Sequence, residues 1–170
     1  MTALPFHPKI VHLPMALAAL MPLLTLGFLL AWWRGWLPRK AFYAVIALQA
    51  VLVGTGYLAM QSGEEDEERV EKVVAKKLIH EHEEAAEAFV YTGGGALVLM
   101  LLAGFYPKEK IALIAAMLSL ATTFAVLMMG IRTGDAGGAL VYRHGAASAY
   151  AGPARAPTRG GEHDKDKDHD

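Results

Sequence analysis

Four long apolar stretches dominate the pattern of hydrophobic and polar positions along the chain. Residues 10–33, 41–60, 88–106 and 111–131 contain no Asp, Glu, Lys or Arg. A helix rises about 1.5 Å per residue, so about 18 to 20 apolar residues cross the roughly 30 Å hydrocarbon core of a bilayer. The pattern therefore predicts an all-α integral membrane protein. Its four-helix bundle would have transmembrane spans at about residues 10–33, 41–60, 85–106 and 111–131.

The polar connections between these stretches differ in length. Residues 34–40 and 107–110 are short and contain basic residues, and the first follows tryptophans of the kind that favour the membrane interface. The second connection, residues 61–87, carries five consecutive acidic residues at positions 64–68 and no Gly or Pro after Gly63. We therefore expect a helix that leaves the membrane and continues into the third span, so that the third helix extends out of the bilayer.

Basic residues near the ends of the spans predict the orientation. Lys9 precedes the first span, whereas Arg34, Arg39 and Lys40 follow it. Because loops rich in Lys and Arg stay in the cytoplasm, the two short turns should be cytoplasmic and both termini should lie outside.

The chain after the fourth span changes composition. Residues 134–145 are rich in glycine, which suggests a tight re-entrant or interfacial turn that holds Tyr142 and His144 over the mouth of the bundle. From residue 153 onwards the sequence is polar and charged, with Gly and Pro. We therefore expect a transmembrane domain at residues 1–152 and a disordered charged tail at residues 153–170.

Composition excludes several classes of function. The chain has no cysteine, which excludes disulfides, thiolate metal sites and covalently attached c-type haem. A formal net charge of -1 and the lack of a sustained basic patch argue against a nucleic-acid partner. The four uncharged spans argue against a transporter. Hydrolase and kinase motifs are also missing, which favours a binding or electron-transfer protein over an enzyme.

The histidines gather on one side of the predicted membrane. With four spans, the N-terminus, the long connection and the C-terminal passage share one side, and all seven histidines lie in these segments. His82 falls in an otherwise apolar helical stripe and should face the bundle, whereas His80 shares a polar face with acidic and basic neighbours. We expect His12 to point from the first turn of the first span and His7 to fold back from just before it.

A single interfacial histidine commonly caps a helix or bonds a loop carbonyl. Histidines on three separate elements, namely His12, His82 and His144, are harder to explain in that way. Ionisable groups at membrane depth commonly mark functional sites. These residues, together with His7, are therefore candidate ligands for a cofactor or a metal ion.

Three groups of residues resemble a known bacterial family. They are His7-Pro8 with Val11-His12-Leu13-Pro14, then Gly63-Glu64 with His82-Glu83, and finally Gly138-Ala139-Leu140-Val141-Tyr142-Arg143-His144-Gly145. In these motifs the chain is similar to the membrane family catalogued as domain of unknown function 2231. The resemblance carries over to His7, His12, His82 and His144. Family members joined to Rieske-type or cytochrome c domains imply redox work in the bacterial envelope, and hence a location in the inner membrane.

Three functional hypotheses follow. The favoured one is a b-type haem held by imidazoles from two helices, with Arg132 or Arg143 near the propionates, that serves electron transfer with a redox protein. The second is a zinc or copper ion held by histidines, with Glu83 or Asp135 as a possible carboxylate ligand. The metal ligands would be His7, His12, His82 and His144. The third is a non-catalytic subunit of a membrane complex, whose acidic connection docks a partner.

Overall fold

The computed structural model describes residues 7–150, which form helices joined by turns and contain no strand. The helices are α1 (His7–Ile10), α2 (His12–Trp33), α3 (Phe42–Val70), α4 (Lys76–Phe105) and α5 (Glu109–Tyr142), with short 3-10 turns at Arg39–Ala41 and Ala146–Tyr150. Within the described range, four helical segments are long and apolar enough to cross a membrane. The predicted four-helix membrane bundle is confirmed. The predicted disordered tail at 153–170 lies outside the described residues.

The four long helices form a closed ring in which each packs on the next and α5 returns to α2. Small residues line much of the interior, among them Ala96, Ala103 and Ala116, each fully buried. Large aliphatic residues such as Leu23 and Ile114 point outward and are more than half exposed. This distribution suits lipid, where small residues let helices approach closely and outward apolar side chains meet the hydrocarbon.

Arg39 connects the two helical hairpins at the end of the bundle opposite the histidines. Its Nε donates to the Ala103 carbonyl at 2.9 Å and its Nη2 donates to the Tyr106 carbonyl at 2.6 Å. These carbonyls belong to the C-terminal end of α4, where backbone oxygens lack intrahelical partners. One guanidinium therefore satisfies two exposed helix-end acceptors and joins the turn before α3 to the end of α4.

The sequence predicted one continuous helix through the long connection, and the structure contradicts that prediction. The acidic run at 64–68 belongs to α3, which ends at Val70, and the chain turns over residues 71–75 before α4 begins. The turn buries Val74 in a small cluster with Ile79, Leu140 and Ala146, which a straight helix would not form. The predicted extension of the third helix is nevertheless present, because α4 begins at Lys76, well ahead of its apolar stretch.

An ion pair closes this turn. The Lys76 ammonium donates to the Glu71 carboxylate at 2.8 Å. This hydrogen bond lowers the pKa of the Glu71 carboxyl below its usual value. Both groups are largely in water, so the pair adds little to the free energy of folding.

The glycine-rich passage is also helical, so the predicted re-entrant turn is wrong. Helix α5 continues through Tyr142, with Leu140 buried, and the chain leaves it at Gly145, whose φ is +71°. Glycine inside a helix costs conformational entropy. Here packing offsets that cost, because Gly137 lets α5 approach the His82 ring on α4.

Candidate histidine site

Two of the predicted histidines meet at the end of the bundle formed by α1, the C-terminal part of α3 and the start of α4. The rings of His7 and His82 have centroids 6.3 Å apart and stand nearly perpendicular, at 88°. His7 is the first residue of α1, and His82 lies in the second turn of α4. Both side chains are half-buried. As the helical stripe predicted, His82 points towards the bundle.

Hydrogen bonds orient His7. Its Nδ1 lies 2.9 Å from the Ala59 carbonyl and 3.1 Å from the Ser62 hydroxyl, both on α3. The Ser62 hydroxyl itself donates to the Ala59 carbonyl at 2.8 Å. Gly63 leaves space for the His7 ring, because a Cβ there would lie 3.3 Å from Cε1 of the ring. The His7 ring therefore rests directly against the backbone of α3.

Packing against α5 orients His82. A Cβ at Gly137 would lie 3.0 Å from its Cε1, closer than real Cβ contacts normally come. The Nδ1 atom of His82 is buried and has no hydrogen-bond partner among residues 7–150. A buried polar atom without a partner is costly, and such atoms are commonly satisfied by a water, an ion or a ligand.

The other predicted site residues lie outside this pair. His12 and His144 are exposed, as is Arg143, which lines a shallow groove on α5 together with Asp135 and Tyr142. His80 is solvated as predicted, with its ring nitrogens 3.5 Å and 3.3 Å from Glu83 and Glu84. Within the described part of the chain, no three His, Cys, Asp or Glu side chains are grouped to hold a metal. The structure thus brings together His7 and His82 but not His12 and His144.

Sequence reasoning missed the residues that position the pair. Ser62 is a single buried hydroxyl in a helical stretch, and nothing in its spacing connects it with a histidine 55 residues earlier. Gly137 fell within the passage predicted to be a tight re-entrant or interfacial turn. One signal was present, since the Gly63-Glu64 motif lies directly after Ser62.

The donor set can be compared with what different cofactors require. Zinc sites take four ligands, of which three or four come from the protein. Two imidazoles, by contrast, complete the protein ligation of a b-type haem iron. His7 and His82, with ring centroids 6.3 Å apart, are the two imidazoles on separate helices that could hold such a group.

Four apolar helices around a core of small residues define the chain as an integral membrane protein, with a histidine pair at one end of the bundle. It belongs to the family described as predicted membrane protein (DUF2231), whose model matches residues 3–149. The search of curated proteins and the search of solved structures found no match.

Proposed function

We propose that this protein binds haem b through His7 and His82 and carries electrons at one face of the membrane. The neighbouring imidazoles of these residues are the observation that supports it most directly. They come from different helices, and histidines on different helices of a bundle are a common means of holding a cofactor in its core. Bound haem would supply one-electron redox chemistry, and the protein would bind, orient and shield it.

The state of the His7 ring supports its role as a ligand. An Nδ1–H that donates to a carbonyl leaves the lone pair of the neutral ring on Nε2, the form that binds metals. His82 contributes a buried ring nitrogen that still lacks a partner. His7 and His82 are therefore the residues that would hold the haem.

Charged residues at the same end of the bundle could bind haem propionates and a redox partner. Arg132 on α5 and Arg143, directly after α5, are exposed at the end of the bundle that carries the histidines and could pair with haem propionates. The exposed acidic residues of the 64–68 run lie beyond the membrane on α3. They favour a redox partner with a basic surface.

Absorbance spectroscopy tests the proposal directly. The full chain, purified in detergent and supplemented with haem, should show a Soret band with about one haem per chain and the spectrum of bis-imidazole ligation. His7→Gln and His82→Gln should each lose that spectrum. His80→Gln and His12→Gln, which alter exposed histidines outside the pair, should keep it. Absence of a Soret band after haem supplementation would overturn the proposal.

A copper ion is the second candidate. Zinc takes three or four protein ligands, and no such group is present among residues 7–150. Imidazole nitrogens also bind copper, and His7 and His82 supply two of them. Metal analysis of protein purified without a histidine tag would show about one copper per chain, and none if haem is the ligand.

A further inference from the structure

We infer that Ser62 is a positioning residue that, together with the Ala59 carbonyl, holds His7 with its hydrogen on Nδ1 and so leaves Nε2 as the ligand atom. The inference rests on the proposed function, because Ser62 would prepare His7 as a haem ligand. The tautomer of His7 is a property of the protein without a cofactor, so it can be tested on haem-free protein.

The first step concerns which atoms can donate. The Ala59 carbonyl can only accept, and it lies 2.9 Å from Nδ1 of His7. The Ser62 hydroxyl could donate or accept, but its hydrogen is directed to the same carbonyl, 2.8 Å away. Its oxygen therefore faces His7 as an acceptor at 3.1 Å. Both neighbours require a hydrogen on Nδ1, so the neutral ring carries its lone pair on Nε2.

The second step concerns how firmly the ring is held. Ser62 is 7 % exposed, so water competes little for its hydroxyl. Ala59, Ser62 and Gly63 lie three and four residues apart and share one face of α3. A side chain at Gly63 would crowd Cε1 and Nδ1 of His7, at 3.3 Å and 3.4 Å. The bare backbone admits the ring, and the two acceptors then set its rotation.

The third step concerns the consequence for ligation. A histidine that ligates a metal usually donates its other N–H to a carbonyl, a carboxylate or water, which raises the basicity of the ligating nitrogen. Loss of such a partner typically costs about 10- to 100-fold in metal affinity. Ser62→Ala leaves the Ala59 carbonyl in place, so we expect about a 10-fold loss of haem affinity. Ser62→Thr keeps the hydroxyl and should bind haem like the unchanged protein.

The direct test is nitrogen NMR on haem-free protein labelled with ¹⁵N-histidine, in which the His7 signals are identified by their loss in His7→Gln. We expect His7 in the Nδ1–H tautomer at a pH where the ring is neutral. Ser62→Ala removes one of the two acceptors that fix the rotation of the ring, so the ring should leave the Ala59 carbonyl part of the time and shift towards a mixture of tautomers. Ser62→Thr should keep the original signals. Thr55→Ala is the matched control, because the Thr55 hydroxyl also lies on α3 and bonds only to its own helix, at Val51 and Leu52.

The outcomes separate this inference from the proposed function. An Nε2–H tautomer in the unchanged protein overturns the inference, as does a Ser62→Ala spectrum equal to that of the unchanged protein, whether or not haem binds. The expected tautomer and its dependence on Ser62, in a protein that binds no haem, would support the inference and overturn the haem proposal. If Ser62→Ala fails to fold, the tautomer of the unchanged protein and the Ser62→Thr spectrum decide.

Discussion

His7 and His82 are held by different physical means. Two acceptors on α3 orient the first through directional hydrogen bonds. The second is confined by van der Waals contact with the backbone of α5 at Gly137. The two rings should therefore respond to different substitutions. His7 should be sensitive to removal of a polar atom, and His82 to addition of a methyl group.

Gly137→Ala tests the contact at His82. The added methyl would lie 3.0 Å from Cε1 of the ring, so His82 must move away from its present position. We expect haem affinity to fall at least about 10-fold, in line with the loss of other ligand-orienting contacts. Fold stability should change less, because Ala is about 0.5–1 kcal/mol more favourable than Gly inside a helix.

Gly138→Ala is the control for that substitution. A Cβ at Gly138 has no atom within 4 Å outside its own helix turn, so the same change next door should leave haem binding intact. Haem titration and thermal unfolding of both variants give the comparison. Equal affinities for the two would contradict the positioning of His82 by Gly137.

Sequence patterns could predict His82 as a site residue but could not predict its partner. The apolar stripe around His82 is a local signal, which helical periodicity makes visible. The contact between His7 and His82 depends on how α1 meets α3, and no periodicity encodes that. His12 and His144 were grouped with His82 because they share a side of the membrane, yet both are exposed.

Among the helices, buried polar groups connect neighbours at some positions and remain unpaired at others. Thr133 on α5 donates to the Ala85 carbonyl on α4 at 2.9 Å, and also to Met129 in its own helix. Thr25 on α2 is fully buried, and its hydroxyl has no partner among the described residues.

The boundaries of the helices also depend on contacts between helices. The turn at 71–75 and the long α5 depend on tertiary packing around Val74 and Leu140, which local sequence does not reveal.

Thr25→Val and Thr133→Val compare a buried hydroxyl that has no partner with one that bonds to a neighbouring helix. Thr25→Val replaces an unpaired hydroxyl by a methyl of similar size, so stability should stay the same or rise by about 1 kcal/mol. Thr133→Val removes an interhelical hydrogen bond and should lower stability by about 0.5–1.5 kcal/mol. Unfolding of both variants in detergent micelles measures the difference. A larger loss for Thr25→Val than for Thr133→Val would show that the Thr25 hydroxyl has a partner after all.

Arg39→Ala tests the contact between the hairpins. It removes two hydrogen bonds to the end of α4. Hydrogen bonds from charged donors contribute about 1.5–3 kcal/mol each at most, so we expect a loss of about 2 kcal/mol. Lys40→Ala, the exposed neighbour, removes the same charge and should cost little. Thermal unfolding that is equal for the two variants would show that charge, and not the contact with α4, accounts for the effect.

For the whole molecule, the even number of spans places α1, the turn at 71–75 and the end of α5 on one side. That arrangement assembles the histidine pair, and it holds whichever way the bundle faces. Sequence alone could predict it, because it depends only on the count of long apolar helices. The direction in which the bundle faces is a separate prediction from the basic residues around the first turn.

Labelling of introduced cysteines tests both statements, since the chain has no native cysteine. Glu68→Cys should react with a membrane-impermeant maleimide in intact bacterial spheroplasts. Lys108→Cys should react only after permeabilisation. The reverse labelling pattern would show that the bundle faces the opposite way, with the four-span topology unchanged. Labelling of both positions from one side would contradict the four-span topology.

The contact between His82 and Gly137 also constrains when the site can form during biosynthesis. His7 is synthesised first, His82 follows on α4, and Gly137 lies on α5, the last of the four long helices among residues 7–150. Until α5 is inserted, the imidazole of His82 lacks the contact that confines it. The histidine pair is therefore complete only after all four long helices are in place, and a partly synthesised chain lacks the finished site.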